Sequence, residues 1–121
     1  MTLPTPIPIE LAEIIAERLR VIGDPNRIRI LDQLREGEVS VTELTDRLDT
    51  SQQNVSKHLG VLRKVGIVSV SKQGQHRFYR LNAKELKPVH DWVATFERFW
   101  GHQVDRIKQR AERKAATRPT D

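Results

Sequence analysis

The sequence predicts a mainly α-helical domain carrying one β-hairpin, with elements in the order α-α-α-α-β-β-α. Three observations carry that reading. Apolar residues recur every three or four positions over most of the chain. Capping and stop signals cut this pattern into separate helices. The period changes once, between Ile67 and Leu81, where β-branched and aromatic residues flank a polar, glycine-containing tip.

Residues 1–8 form an extended arm, because Pro4, Pro6 and Pro8 lack the amide hydrogen and restrict the residues before them. A first helix starts near Ile9. Leu11, Ile14, Ile15, Leu19 and Ile22 share one of its faces, and Gly23 ends it. Asp24 then caps a second helix with Pro25 in its first position. Ile28, Leu31 and Leu34 are its expected buried face, and Gly37 closes it. Ser40-Val41-Thr42-Glu43 has the spacing of a capping box, with Thr42 as the alternative cap. The short third helix turns Val41, Leu44 and Leu48 inward. Asp49-Thr50 interrupts the pattern, and Ser51 caps a fourth helix that buries Val55, Leu59 and Leu62 and ends near Gly66.

Two strands follow, around Ile67-Val68-Val70 and Arg77 to Leu81, with the tip at 71–76. Asn82 is placed as the cap of the next helical stretch, and Pro88 as the start of a new helix. From Val89 onward one long helix is expected, with Val93, Phe96, Trp100, Val104 and Ile107 in step. The chain thus divides into an arm (1–8), a domain with terminal dimerisation helices (9–107) and a basic tail (108–121).

The 121 residues suit one domain. They are 37% hydrophobic and 31% charged, and 21 Lys and Arg against 16 Asp and Glu leave a formal charge of +5. That excess points to an anionic partner, most often nucleic acid. The absence of cysteine excludes disulfides, thiol catalysis and Cys-ligated zinc. No apolar run approaches a membrane span and no secretion signal opens the chain, so the expected location is the cytoplasm and no membrane partner is expected.

Helices three and four read as a helix-turn-helix. In such units the second helix enters the major groove of double-stranded DNA by its N-terminal residues. Gln52, Gln53, Ser56 and Lys57 are its outward positions, Asn54 lies to the side, and Ser51 and His58 complete the candidate DNA-binding set on this helix. Glutamine can bond adenine at two points, serine is a short adaptable partner, and lysine suits guanine or phosphate. No acidic residue lies between Ser51 and Gly74, which suits close approach to a polyanion. The hairpin is read as a wing, with Lys72, Gln75 and Arg77 as its contacts and Lys72 and Arg77 on phosphates.

The stretches Asp24-Pro25-Asn26-Arg27-Ile28-Arg29-Ile30-Leu31, Thr50-Ser51-Gln52-Gln53-Asn54-Val55-Ser56-Lys57-His58-Leu59-Gly60-Val61-Leu62 and Gly74-Gln75-His76-Arg77-Phe78-Tyr79-Arg80-Leu81 resemble the ArsR/SmtB family of bacterial winged-helix repressors. The resemblance implies a homodimer that represses transcription from a palindromic operator. It also implies an effector, often a metal ion, that weakens DNA binding. Here the family's cysteine metal box is replaced by Glu38-Val39-Ser40-Val41-Thr42-Glu43-Leu44, and hydroxyls are poor ligands for soft metals. A second family site, on the last helix, has His90, His102 and Asp105 as its only candidates, beside Asp91. The two histidines stand twelve apart instead of eleven, and Pro88 occupies the place of the first acidic ligand. No metal or cofactor is therefore expected, and any effector is an unidentified small molecule or protein.

Trp92, Phe96, Phe99 and Trp100 crowd into nine residues. With Leu11, Ile15 and Val104 they make the expected dimer interface. Three other readings compete: a winged-helix module that binds protein and not DNA, a zinc- or nickel-responsive repressor using the last helix, and an enzyme. The basic hairpin argues against the first. The chain has no nucleophile elbow, phosphate loop or paired carboxylates to support the third.

Overall fold

The computed structural model describes residues 3–117, apart from the side chains of residues 102–105 and 117. Helix α1 spans Ile9–Ile22 and α2 spans Pro25–Gln33. The Asp24 carboxylate caps α2, accepting from the backbone N–H of Asn26 (2.8 Å) and Arg27 (3.2 Å). Helix α2 stops three residues before the sequence pattern does, with Leu34 as its C-cap. Its buried face also differs from expectation. Ile30 and Leu34 are buried, Leu31 is half-buried and Ile28 is exposed.

A two-residue strand β1 (Val39–Ser40) then leads into α3 (Val41–Leu48). Ser40, rather than Thr42, is the cap, accepting from Glu43 N–H at 3.1 Å. The Glu43 carboxylate turns to Arg47 instead (2.7 Å). Asp49 ends α3 in the left-handed region (φ 49°), a conformation a short polar side chain tolerates. Helix α4 (Gln52–Lys64) follows, and strands β2 (Val68–Gln73) and β3 (His76–Leu81) form the hairpin. Both strands reach further into the tip than expected. Gln73 pairs with His76, which leaves a two-residue turn, Gly74-Gln75. Gly74 takes the positive φ (65°) that such a tight turn demands at this position.

β1 was not legible in the sequence. It pairs antiparallel with β3, Val39 opposite Tyr79 and Ser40 opposite Phe78, so the wing belongs to a three-stranded sheet of order β1-β3-β2. The core lies between α2, α3, α4 and this sheet. Leu44, Leu59, Leu62 and Ile67 have no exposed surface, and Ile30, Leu34, Val55 and Val68 are almost as deep. Each such side chain contributes about 1.5–3 kcal/mol of burial. Asn82 does not cap the segment that follows. Its amide bonds Gly66 O (2.8 Å) and Ser69 Oγ (2.7 Å), tying the base of the hairpin to the end of α4.

The expected single long C-terminal helix is two. A 3-10 turn (Ala83–Leu86) runs into α5 (Lys87–Ala94), with Pro88 in its first turn, and α6 covers Gly101–Thr117. Between them the backbone bonds tighten to a three-residue spacing: Thr95 N–H to Trp92 O, Phe96 to Val93, Phe99 to Phe96, and Trp100 to Glu97. The Thr95 hydroxyl also donates to Trp92 O (2.7 Å), and Gly101 takes a positive φ of 37°. These local bonds compete with the helical ladder and break it. Helix α6 continues through residues 108–117, which the sequence had assigned to a tail.

Candidate nucleic-acid interface

The site is built on the capped start of α4. Ser51 Oγ accepts from Asn54 N–H (3.1 Å), and Asn54 Nδ2 donates to Thr50 Oγ1 (3.0 Å). These bonds fix the two-residue turn to the first turn of the helix and satisfy a backbone donor that would otherwise be orphaned. Burial of Val55, Leu59 and Leu62 then orients the rest of the helix. Gln52, Gln53, Ser56 and Lys57 are exposed, and Asn54, held by Thr50, is half-buried. Lys72, Gln75 and Arg77 are likewise exposed on the hairpin.

His58 does not belong with this set. It is buried, at 7% exposure, because it sits on the inward stripe of α4, three residues after Val55 and four before Leu62. Its Nδ1 lies 3.2 Å from Arg27 Nη1 and 4.0 Å from Asp24 Oδ1. Arginine only donates, so Nδ1 accepts and a neutral ring carries its proton on Nε2. Arg27 also donates through Nε to Val21 O. One guanidinium thereby links the end of α1 and the middle of α4, beside the Asp24 cap of α2. Desolvation pushes the Asp24 carboxyl up, but the N–H bonds from Arg27 and Asn26, with the positive charge of Arg27 and of His58 when it is protonated, outweigh it and hold the group below its ordinary value.

A carboxylate that sequence reasoning missed stands beside the wing. Glu38 accepts from Gln73 Nε2 (3.2 Å) and, at the long distance of 3.5 Å, from Ser71 Oγ. It steadies β2 from outside the span of chain that is free of acids.

The flanking helices carry the second predicted set. Phe96 (44%), Phe99 (64%) and Trp100 (36%) are exposed. Trp92 is half-buried, packs edge-on to Phe96 at 5.4 Å and borders a cavity shared with Leu3, Pro4 and Ile7 of the N-terminal arm. Leu11 is half-buried near Leu3 and Pro88. Ile15 is already buried inside its own subunit (4%), so it supports α1 from beneath and presents nothing to a second copy. The side chain of Val104 lies outside the described residues. Between α1 and α5 an apolar cavity of about 510 Å³ is lined by Ile22, Val89, Val93 and Trp100 among others.

Of the weighed metal candidates, His90 is exposed and its Nδ1 lies 3.1 Å from Asp91 Oδ1. Asp91 also holds Lys87 Nζ at 3.0 Å. The hydrogen bonds from Lys87 and His90, outweighing desolvation, draw the Asp91 carboxyl below its ordinary value. His102 and Asp105 have side chains outside the described residues. Among the described residues no group of three His, Asp or Glu side chains could hold a metal ion, and no helix is long and apolar enough to cross a membrane.

A capped helix presenting a polar face, held behind a two-residue turn and flanked by a basic hairpin on a small sheet, defines a winged helix-turn-helix domain. Residues 22–71 match the family model described as a helix-turn-helix domain. Over 88 residues the chain is 41% identical to the HTH-type transcriptional repressor SmtB of Mycobacterium tuberculosis, covering 73% of this chain and 65% of that one. It is 41% identical over 71 residues to the transcriptional activator HlyU of Vibrio cholerae, covering 59% and 66%. The match thus spans just under two thirds of each of these relatives. The crystal structure of an ArsR-like transcriptional regulator from Rhodococcus superposes with a TM-score of 0.67 at 28% identity, covering 88% of this chain and 97% of the other. The chain belongs to the ArsR/SmtB family of winged helix-turn-helix regulators.

Proposed function

We propose that the chain acts as a homodimer that binds a palindromic operator in double-stranded DNA and represses transcription by occluding the promoter. The observation that carries this reading is the exposed stripe of Gln53, Ser56 and Lys57 on a helix whose opposite face is fully committed to the core. Such a stripe is free to meet base edges, and the wing cations Lys72 and Arg77 stand ready for the adjoining phosphates. The exposed Phe96, Phe99 and Trp100 supply the reason for pairing, because a second copy would remove them from water. Two copies related by a twofold axis would set their α4 helices about 34–36 Å apart, one turn of the duplex. The chemistry is binding, and we assign no catalytic residue.

Fluorescence anisotropy with duplexes from upstream of the chain's own coding sequence tests this. Gln53→Ala should narrow the preference for the operator over a mutated site by about 1–3 kcal/mol. Lys72→Ala should weaken all duplexes alike and flatten the salt dependence. If the unaltered protein ignores duplex DNA at low salt, the protein-binding reading of the same module takes its place. A promoter fusion that falls silent on deletion of the gene would replace repression by activation.

A further inference from the structure

We propose that the trough between α4 and the wing seats a phosphate of the bound duplex, with Gly60 as its floor and Arg63 and Arg77 as its walls. This rests on the DNA-binding reading above and adds Gly60 and Arg63 to the contact surface. The trough has a volume of about 380 Å³, and Gln52, Ser56, Gly60 and Arg63 line it from one side, Arg77 from the other. The four α4 positions are spaced by four, four and three residues. They form one stripe, which meets the face of Gln53 and Lys57 at Ser56. At 1.5 Å per residue that stripe is about 16 Å long, the shape of a run of backbone more than of a single free ion.

No carboxylate lines the trough. Among the described residues, neither Arg63 nor Arg77 has an ion-pair or hydrogen-bond partner. Two exposed guanidinium groups that border one concavity with no acid between them are well placed for an anion between them. A guanidinium offers phosphate two parallel hydrogen bonds.

Gly60 points the same way. It sits in the interior of α4, where glycine is the weakest helix former after proline. Its backbone is helical, so no left-handed conformation requires it. A Cβ built on it would meet nothing within 4 Å. Neither backbone geometry nor packing within the subunit asks for glycine here. The space a methyl group would fill is the floor of the trough. A helix that forgoes stability without an internal reason does so for something that approaches from outside.

The test is the opposite sign of two effects of one substitution. Gly60→Ala should raise the thermal midpoint by a few degrees while weakening duplex binding roughly tenfold, equally for operator and unrelated DNA. Arg63→Ala should weaken both duplexes similarly and lower the slope of log affinity against log salt by about 0.9. The unaltered protein separates the ways of failing. If it binds duplex and both variants bind as well as it does, the seat is wrong and the DNA-binding reading stands. If it binds no duplex, both fall. A third arm titrates inorganic phosphate against the Gly60 amide resonance. Saturable binding that Arg63→Ala abolishes, with duplex affinity unchanged in that variant, would make the trough a free-anion site and overturn the duplex form of the proposal.

Discussion

From Asp24 to Leu81 the chain hides its apolar residues within itself, whereas the flanks, Ile9–Ile22 and Lys87 to Thr117, leave theirs in the open. The central region contains Leu44, Leu59, Leu62 and Ile67 with no exposed surface, and Ile28 is its one large exposed apolar residue among those described. In the flanks Ile9, Ile14, Leu19, Val93, Phe96, Phe99, Trp100 and Ile107 all face solvent, and α5 contains no buried residue. The two regions solve different problems. The centre must hold a reading helix rigid in a single subunit, so its caps and core are complete. The flanks leave an apolar surface open, the one that the proposed pairing with a second copy would cover.

The sharpest way to break that contrast is to damage the centre. Leu59→Ala removes a fully buried side chain from between α4 and the sheet, and should lower unfolding free energy by about 2–5 kcal/mol in urea titrations. A loss under 1 kcal/mol would mean that the centre is less tightly packed than its burial implies. Trp100→Ala acts on the other region. It should cost about 2–4 kcal/mol in dimer dissociation, read by sedimentation at several concentrations, while leaving the helical signal of each subunit intact. Equal damage to subunit folding would erase the distinction between the regions. Ser51→Ala returns to the centre with a smaller effect, about 1 kcal/mol in stability. It should also loosen the Asn54 contact that orders the start of α4, so DNA affinity should fall alongside.

The same contrast decides what could be read from the sequence. Most devices of the centre that work through local chemistry were legible, although the stop of α2 was misplaced and the α3 cap was left open between Ser40 and Thr42. The Asp24-Pro25 start, the Ser40 and Ser51 caps, the Asp49-Thr50 turn and the glycine tip each act through neighbours along the chain. What escaped were the pairings across it. Two residues, Val39 and Ser40, have no strand signal of their own, and β1 exists because Tyr79 and Phe78 lie opposite. His58 looks like a surface residue of a polar helix until Arg27, thirty-one positions away, is placed against it. Apolar spacing predicted one long last helix, because periodicity counts residues and cannot register that the Thr95 hydroxyl and a string of three-residue bonds have tightened the backbone. The exposed reading face of α4 was legible in kind, and the trough beside it was not, since it needs the wing's position.

The smallest effect tests the seam between the two regions, where Asp24 joins the end of α1 to α2 and, through Arg27 and His58, to α4. The folded protein holds the Asp24 carboxyl below its ordinary value, because desolvation is outweighed by the backbone N–H bonds and the nearby positive charge. A group depressed on folding contributes stability that is fully present above its unfolded value and is lost as pH falls through the folded one. Urea midpoints should therefore be insensitive to Asp24 near neutrality and should decline below about pH 4 as it protonates. Asparagine also caps helices well, so Asp24→Asn should keep α2 while deleting the charge. Its stability should fall less steeply over the acid range than that of the unaltered chain. If the two acid profiles run parallel, Asp24 holds the seam as a hydrogen-bond acceptor alone, and the charges of Arg27 and His58 around it contribute nothing to the join.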